Sequence, residues 1–247
     1  MLPVLAIDIG NTNIALGVFN GNRLLYRFAV PTYSKSHCPT IKKIVNKYKI
    51  QQGILCSVVP EATLDISKEL TKLIGKKPLI IGKDIYVPIK NNYHNPKQVG
   101  QDRLVNAYAG VKLYGAPLII VDFGTAITFD IVSKNKSYAG GLIIPGLGIS
   151  LEALNCRTAL LPKIKLAAPQ GLIGKDTRNS MLSGVIYGFC AMMEGVSARL
   201  TKQLGPKTKI VVTGGDSLLI KKYCSNINHI DEMLTLKGIN LIYKSFK

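Results

Sequence analysis

Two aspartates occupy matching points of two apolar runs. Residues 4–9 (VLAIDI) lead into Gly10, Asn11 and Thr12, and residues 118–123 (LIIVDF) lead into Gly124 and Thr125. A carboxylate at the end of a buried strand is costly unless its charge meets a cation or hydrogen-bond donors. The glycines let the backbone approach a phosphate closely, and Asn11, Thr12 and Thr125 offer donors to its oxygens. An Asp-Gly turn that merely closes a hairpin would account for one copy. Two copies, with Asp8 and Asp122 in equivalent places, favour chemistry on phosphate and its counter-ions.

A third candidate is Gly100-Gln101-Asp102-Arg103, which precedes an amphipathic stretch holding Leu104, Val105, Tyr108 and Val111, with Pro96 upstream to stop an earlier helix. This places Asp102 at a helix N-terminus. A plain N-cap aspartate, worth about 1 kcal/mol, explains Asp102 alone. Capping does not require the neighbouring Arg103, however. A carboxylate beside a guanidinium suits a site where a hydroxyl is aimed at a phosphoryl group whose charge needs stabilising. Glycines in residues 139–146, and the run Val212-Thr213-Gly214-Gly215-Asp216, could hold an anion on backbone amides, but simple turn formation explains them equally well.

The elements that must position these residues follow from periodicity. Residues 4–9, 14–19 and 24–30 read as a three-stranded meander with Asn20-Gly21 as a hairpin turn, and residues 118–123, 127–132 and 138–144 repeat it. Helical patterns near 40–49 and 64–74 alternate with strands at 54–59 and 79–81, and a long helix at 177–204 precedes a strand at 209–213. Three strands followed by alternating helices and strands, twice over, describe two α/β domains, 1–115 and 116–247, with the cleft between them as the expected active site.

Composition narrows the class. With 247 residues, 47% of them hydrophobic and 19% charged, the chain is neither disordered nor fibrous. Its longest uncharged stretches contain glycine and polar residues and fall short of the ~20 apolar residues of a bilayer span, so no membrane association is expected. The first residues lack a basic leader and meet Asp8 early, which predicts no cleaved signal. Five cysteines without a CxxC pair, joined by His37, His94 and His229, suggest a reducing cytoplasm and no zinc site. A net charge of +18 suits anionic partners, but the lysines are dispersed and aromatics make up only 7%, so no specific nucleic-acid site is expected.

The constellation resembles the type III pantothenate kinases of the acetate and sugar kinase, Hsp70 and actin superfamily. The matching segments are Asp8-Ile9-Gly10-Asn11-Thr12-Asn13, residues 57–60 (SVVP), Tyr93 with residues 100–103, residues 122–128 (DFGTAIT), residues 140–146 and residues 174–177 (GKDT). The resemblance implies two ribonuclease H-like domains, a duplicated actin-like ATPase fold, in a cytoplasmic homodimer. It implies phosphorylation of pantothenate by ATP as the opening step of coenzyme A synthesis, with magnesium and a monovalent cation, potassium or ammonium.

By residue, the resemblance assigns Asp102 as acceptor of the hydroxyl proton with Arg103 as charge support. Asp8, Ile9, Gly10, Asn11, Thr12, Asn13, Ile14, Ala15 and Thr125 hold ATP, with Asp8 on the magnesium side. Asp122 holds the monovalent cation, and Tyr93, Gly100, Gln101, Asp102, Arg103 and Thr177 hold pantothenate. The competing readings are a nucleotide-binding regulator of the same fold that contacts nucleic acid or protein through its basic surface, and a different kinase of the superfamily acting on a sugar or acetate.

Overall fold

The structure, a computed structural model, describes residues 3–34 and 37–246, and of His37 the backbone alone. It divides into two units, Met1–Lys112 with Met233–Lys247, and Leu113–Glu232.

In unit 1 the strands β1 (Val4–Ile9), β2 (Asn13–Asn20) and β3 (Arg23–Pro31) form the antiparallel meander. The Asn20-Gly21 turn needs Gly21 at φ +61, a conformation glycine adopts without cost. Helix α1 (His37–Tyr48) then crosses over to β4 (Gln52–Ser57), which pairs parallel to β1, and α2 (Pro60–Ile74) crosses to β5 (Leu79–Ile80). The sheet order is β3-β2-β1-β4-β5. Apart from Asp8, β1 is apolar along its whole length, because helices cover both faces. Leu5, Ile7 and Ile9 meet Ile41, Ile44, Ile66 and Leu70 of α1 and α2 on one side. Val4 and Ala6 meet Val105 and Tyr108 of α3 (Gln101–Tyr114) and Ile239, Ile242 and Tyr243 of α7 (Leu234–Phe246) on the other. Each large side chain buried in this way contributes roughly 1.5–3 kcal/mol.

Unit 2 repeats the plan. Strands β6 (Leu118–Phe123), β7 (Ala126–Val132) and β8 (Tyr138–Pro145) form the meander, and β9 (Lys209–Thr213) and β10 (His229–Ile230) extend it in parallel, giving the order β8-β7-β6-β9-β10. Helices α4 (Leu147–Arg157), α5 (Thr177–Leu204) and α6 (Ser217–Ile220) cover the face that carries Ile119, Val121 and Phe123. Helix α5 is long and apolar enough to cross a membrane by length and composition alone, but Leu182, Val185, Ile186, Cys190 and Met193 are spent on this core.

The second domain, expected to run from 116 to 247, ends at Glu232, and the chain returns to unit 1. The reason is α7, whose apolar face fills the layer on β1, β2 and β4. Helix α2 begins at Pro60 rather than near residue 64, since a proline needs no amide partner in a helix's first turn.

Candidate active site

Alternation along β1 sends Asp8 to the face of Val4 and Ala6, which is the face α3 covers. Its strand neighbours are Ala15 across the antiparallel pair and Cys56 across the parallel one. The equivalent neighbours of Asp122 are Thr128 and Thr213. The two aspartates thus share a position in the topology but differ in surroundings, apolar and sulfur beside Asp8, hydroxyl oxygens beside Asp122.

The turns after them also differ. Ile9 pairs with Ile14 around Gly10, Asn11, Thr12 and Asn13, whereas Phe123 pairs with Ile127 around Gly124, Thr125 and Ala126 alone. In the longer turn Gly10 N–H donates to Asn13 O at 3.0 Å, and Asn11, Thr12 and Asn13 are exposed. Thr32, which the sequence reading did not single out, pins this turn from the end of β3. Its hydroxyl donates to Gly10 O at 2.6 Å and its amide to Thr12 O at 2.9 Å. Ile9 and Ile14 are buried in the core and Ala15 is half-buried, so of the ATP residues expected in unit 1 these three support the turn rather than form it. Val58 N–H, from the 57–60 segment, donates to Ile9 O at 3.1 Å and ties the start of α2 to the same strand end.

Asp102 is the second residue of α3 rather than its N-cap. Its Oδ1 accepts from Arg103 N–H at 2.9 Å. Burial raises the carboxyl above the ordinary aspartate range, and the Arg103 amide and guanidinium offset only part of that shift. Arg103 is 7% exposed, which excludes a solvated surface cation. A Cβ on Gly100 would run into Asp102 Oδ1, and one on Gly82 would meet the Gln101 side chain at 2.7 Å, so both glycines clear space for the first turn of α3. Asp8 and Asp102 converge on one thiol: burial first, then these two carboxylates, push Cys56 well above its usual value. Tyr93 lies half-buried in the preceding loop, its amide donating to Asn91 Oδ1 at 3.0 Å.

In unit 2 the exits of β6, β8 and β9 meet. Gly146 N–H donates to Thr125 O at 3.1 Å, and a Cβ there would overlap the Gly124 and Thr125 carbonyls. Gly214, at φ +94, leaves no room for a side chain against Asp122 Oδ1 and Phe123 O, both 2.5 Å from where its Cβ would stand. Asp216 N–H donates to Phe123 O at 3.2 Å, and burial raises the Asp216 carboxyl. The Gly214–Asp216 run, ambiguous in sequence, therefore belongs beside Asp122. Thr177 is exposed as the first residue of α5, behind the N-cap Asp176, whose carboxylate accepts from Asn179 N and Nδ2 at 2.7 Å each and is thereby held below the usual range.

Two copies of a meander-plus-crossover domain, each with an aspartate and a glycine turn at its first strand end, define a duplicated two-domain α/β fold. Solved structures agree at the level of fold. Component A of the Acidaminococcus fermentans (R)-2-hydroxyglutaryl-CoA dehydratase superposes with TM-score 0.59 at 11% identity, covering 100% of both chains. The ROK hexokinase of Thermus thermophilus gives 0.50 at 18%, again covering 100% of both. Sequence is more specific. Residues 4–199 match the family model of type III pantothenate kinase. The type III pantothenate kinase of Moorella thermoacetica is 40% identical over 250 residues, spanning 98% of each chain. The chain belongs to the type III pantothenate kinase family.

Proposed function

We propose that the chain transfers the γ-phosphoryl group of ATP to the primary hydroxyl of pantothenate, giving 4'-phosphopantothenate for coenzyme A synthesis, with Asp102 as the group that takes the hydroxyl proton. Family membership supports the reaction, and one observation carries the assignment of the base. Burial makes both Asp102 and Asp216 more basic than an ordinary aspartate, and of the two it is Asp102 that sits beside the buried cation Arg103. Such a base contributes typically 10²- to 10⁴-fold, and most of the remaining catalysis is positioning and charge stabilisation in a loose transition state.

The residues fit a nucleotide with its cations. The turn at Gly10–Asn13 is exposed from Asn11 to Asn13, pinned by Thr32 and close at Gly10, where a Cβ would meet Asn13 O at 3.2 Å. It holds ATP phosphates, with Asp8 on the magnesium side. Magnesium, when bound, neutralises charge on the transferring group. Asp122, flanked by Thr128 and Thr213, offers the oxygen-rich surroundings that a hard monovalent cation, potassium or ammonium, prefers. Thr125 adds a donor to the nucleotide in unit 2. Tyr93, Gly100, Gln101 and Arg103 orient pantothenate, and Thr177, at the positive end of a 28-residue helix, suits its carboxylate.

A homodimer is part of the same reading. An apolar groove of about 600 Å³ runs between α4 and α5, lined by Ile149, Leu154, Met181, Val185 and Phe189, while Leu172 and Ile173 nearby in sequence are mostly exposed. A second copy covering that face would remove the apolar surface from water. The test of the reaction is transfer of label from γ-labelled ATP to pantothenate by the purified chain with magnesium, in potassium, ammonium or sodium. Labelled phosphopantothenate, formed faster in potassium or ammonium, is the expected product.

A further inference from the structure

Three successive contacts join α5 to the stretch after α6. The rings of Tyr187 and Tyr223 meet edge-on at 5.2 Å and 76°. Cys224 Sγ donates to Cys190 Sγ at 2.7 Å. Glu194 Oε1 accepts from Ser225 N at 2.5 Å and from Ser225 Oγ at 2.7 Å. Residues 187, 190 and 194 lie on one face of the helix at the three- and four-residue spacing of neighbouring turns, so 223, 224 and 225 are held against it in register. Both cysteines are free thiols, Cys190 buried and Cys224 half-buried. A disulfide bond is about 2.05 Å long, so closure needs the sulfurs to approach by less than ~1 Å.

We propose that Cys190 and Cys224 are a dithiol site that a small-molecule disulfide oxidises to an intramolecular disulfide, stapling α5 to the segment that carries β9, Gly214–Asp216 and α6. No step of phosphoryl transfer uses either residue. The chemistry balances as two thiol–disulfide exchanges. Cys224 is the accessible sulfur; as thiolate it attacks the reagent disulfide, forms a mixed disulfide and releases one small thiolate. Cys190, losing its proton, attacks Cys224 Sγ, forms the protein disulfide and expels the second small thiolate. Two electrons pass to the reagent and two protons leave with its thiols. One deprotonation of the pair leaves the remaining proton on Cys224 and the charge on Cys190, so Cys224 becomes the attacking thiolate as that proton passes to Cys190 Sγ. The hydrogen bond from Cys224 lowers the Cys190 thiol and raises its own.

The bland alternative is a pair of inert packing thiols. Incubating the folded full chain with oxidised glutathione, quenching by alkylation and mapping the peptides separates the two. Cys38→Ser and Cys156→Ser are introduced first, because Cys156 is exposed and Cys38 half-buried. The expected result is loss of both Cys190 and Cys224 from alkylation, a linked peptide two hydrogens lighter than the reduced pair, and full recovery with dithiothreitol. Cys190→Ser should arrest the sequence with glutathione on Cys224, with Cys190→Ala serving the same purpose if serine disturbs the core. Cys224→Ser should leave Cys190 unmodified. Glutathione retained on Cys224 of the otherwise intact pair, a link that forms only in denaturant, or no reaction at all overturns the proposal.

Discussion

Asp8 and Cys56 lie side by side in parallel register on β1 and β4, and the Asp8 carboxylate helps keep that thiol protonated. Asp102 acts on the same sulfur from α3, so the two carboxylates proposed to serve magnesium and the substrate hydroxyl share one buried corner of unit 1. The corner is apolar where it meets the sheet, which is what makes Asp102 a stronger base than a solvated aspartate.

The pH dependence follows from that burial. A carboxyl raised in the folded state contributes stability below its unfolded pKa and loses it as pH rises through the folded value, so at neutral pH the Asp102 charge opposes folding. Asp102→Asn should therefore unfold at a higher temperature than wild type at pH 7, with the difference shrinking below about pH 4. In wild type, kcat/KM should fall on the acid side at a pH above the ordinary aspartate range. Thermal melts and a pH–rate profile check both statements, and a less stable Asp102→Asn at neutral pH would count against them.

Thr32 should matter to ATP more than to turnover. Thr32→Val keeps the amide bond to Thr12 O but deletes the hydroxyl bond to Gly10 O. A hydrogen bond of this kind is worth about 0.5–1.5 kcal/mol, which corresponds to a roughly 2- to 10-fold rise in KM for ATP. Thr32→Ser should restore it. Steady-state titration of ATP on the three proteins is the measurement, and a change confined to kcat would contradict the positioning role.

The unlike surroundings of the two strand-end aspartates predict unlike defects. Asp8→Ala should chiefly impair use of magnesium ATP, and Asp122→Ala should chiefly abolish activation by potassium or ammonium. Titrating each ion against each variant separates them; matching defects would mean the two sites are not specialised.

Gly214→Ala should destabilise the chain by about 2 kcal/mol or more, because the new methyl meets Asp122 Oδ1 and Phe123 O and the backbone sits at φ +94. Gly215→Ala, where an added Cβ meets nothing within 4 Å, should change stability by less than about 0.5 kcal/mol. Denaturant unfolding of the pair decides this, and equal costs would remove the steric argument.

The duplicated strands and the equivalent positions of Asp8 and Asp122 were legible because both are local: six-residue runs, apolar but for one Asp and followed by glycine, carry their own signature. What was hidden depends on contacts distant in sequence. Thr32 acts on Gly10 from 22 residues away, and Cys190 meets Cys224 across 34. Helix α7 joins the first sheet although more than 200 residues separate Val4 from Ile239, so its domain could not be read from order alone. Helix α4 was masked by the glycines around it, of which Gly146 serves packing against Thr125. The helix start at Asp102 was legible in the sequence, but the burial on which its proposed role as a base rests is not displayed there.

The decisive measurement is single-turnover transfer from ATP with product identified by mass, comparing wild type with Asp102→Asn and pantothenate with glucose and acetate. Wild type should give 4'-phosphopantothenate alone, and the variant should form it at least ~100-fold more slowly with ATP binding unchanged. Transfer to glucose or acetate in preference to pantothenate, or near-normal transfer by Asp102→Asn, would contradict the proposed function.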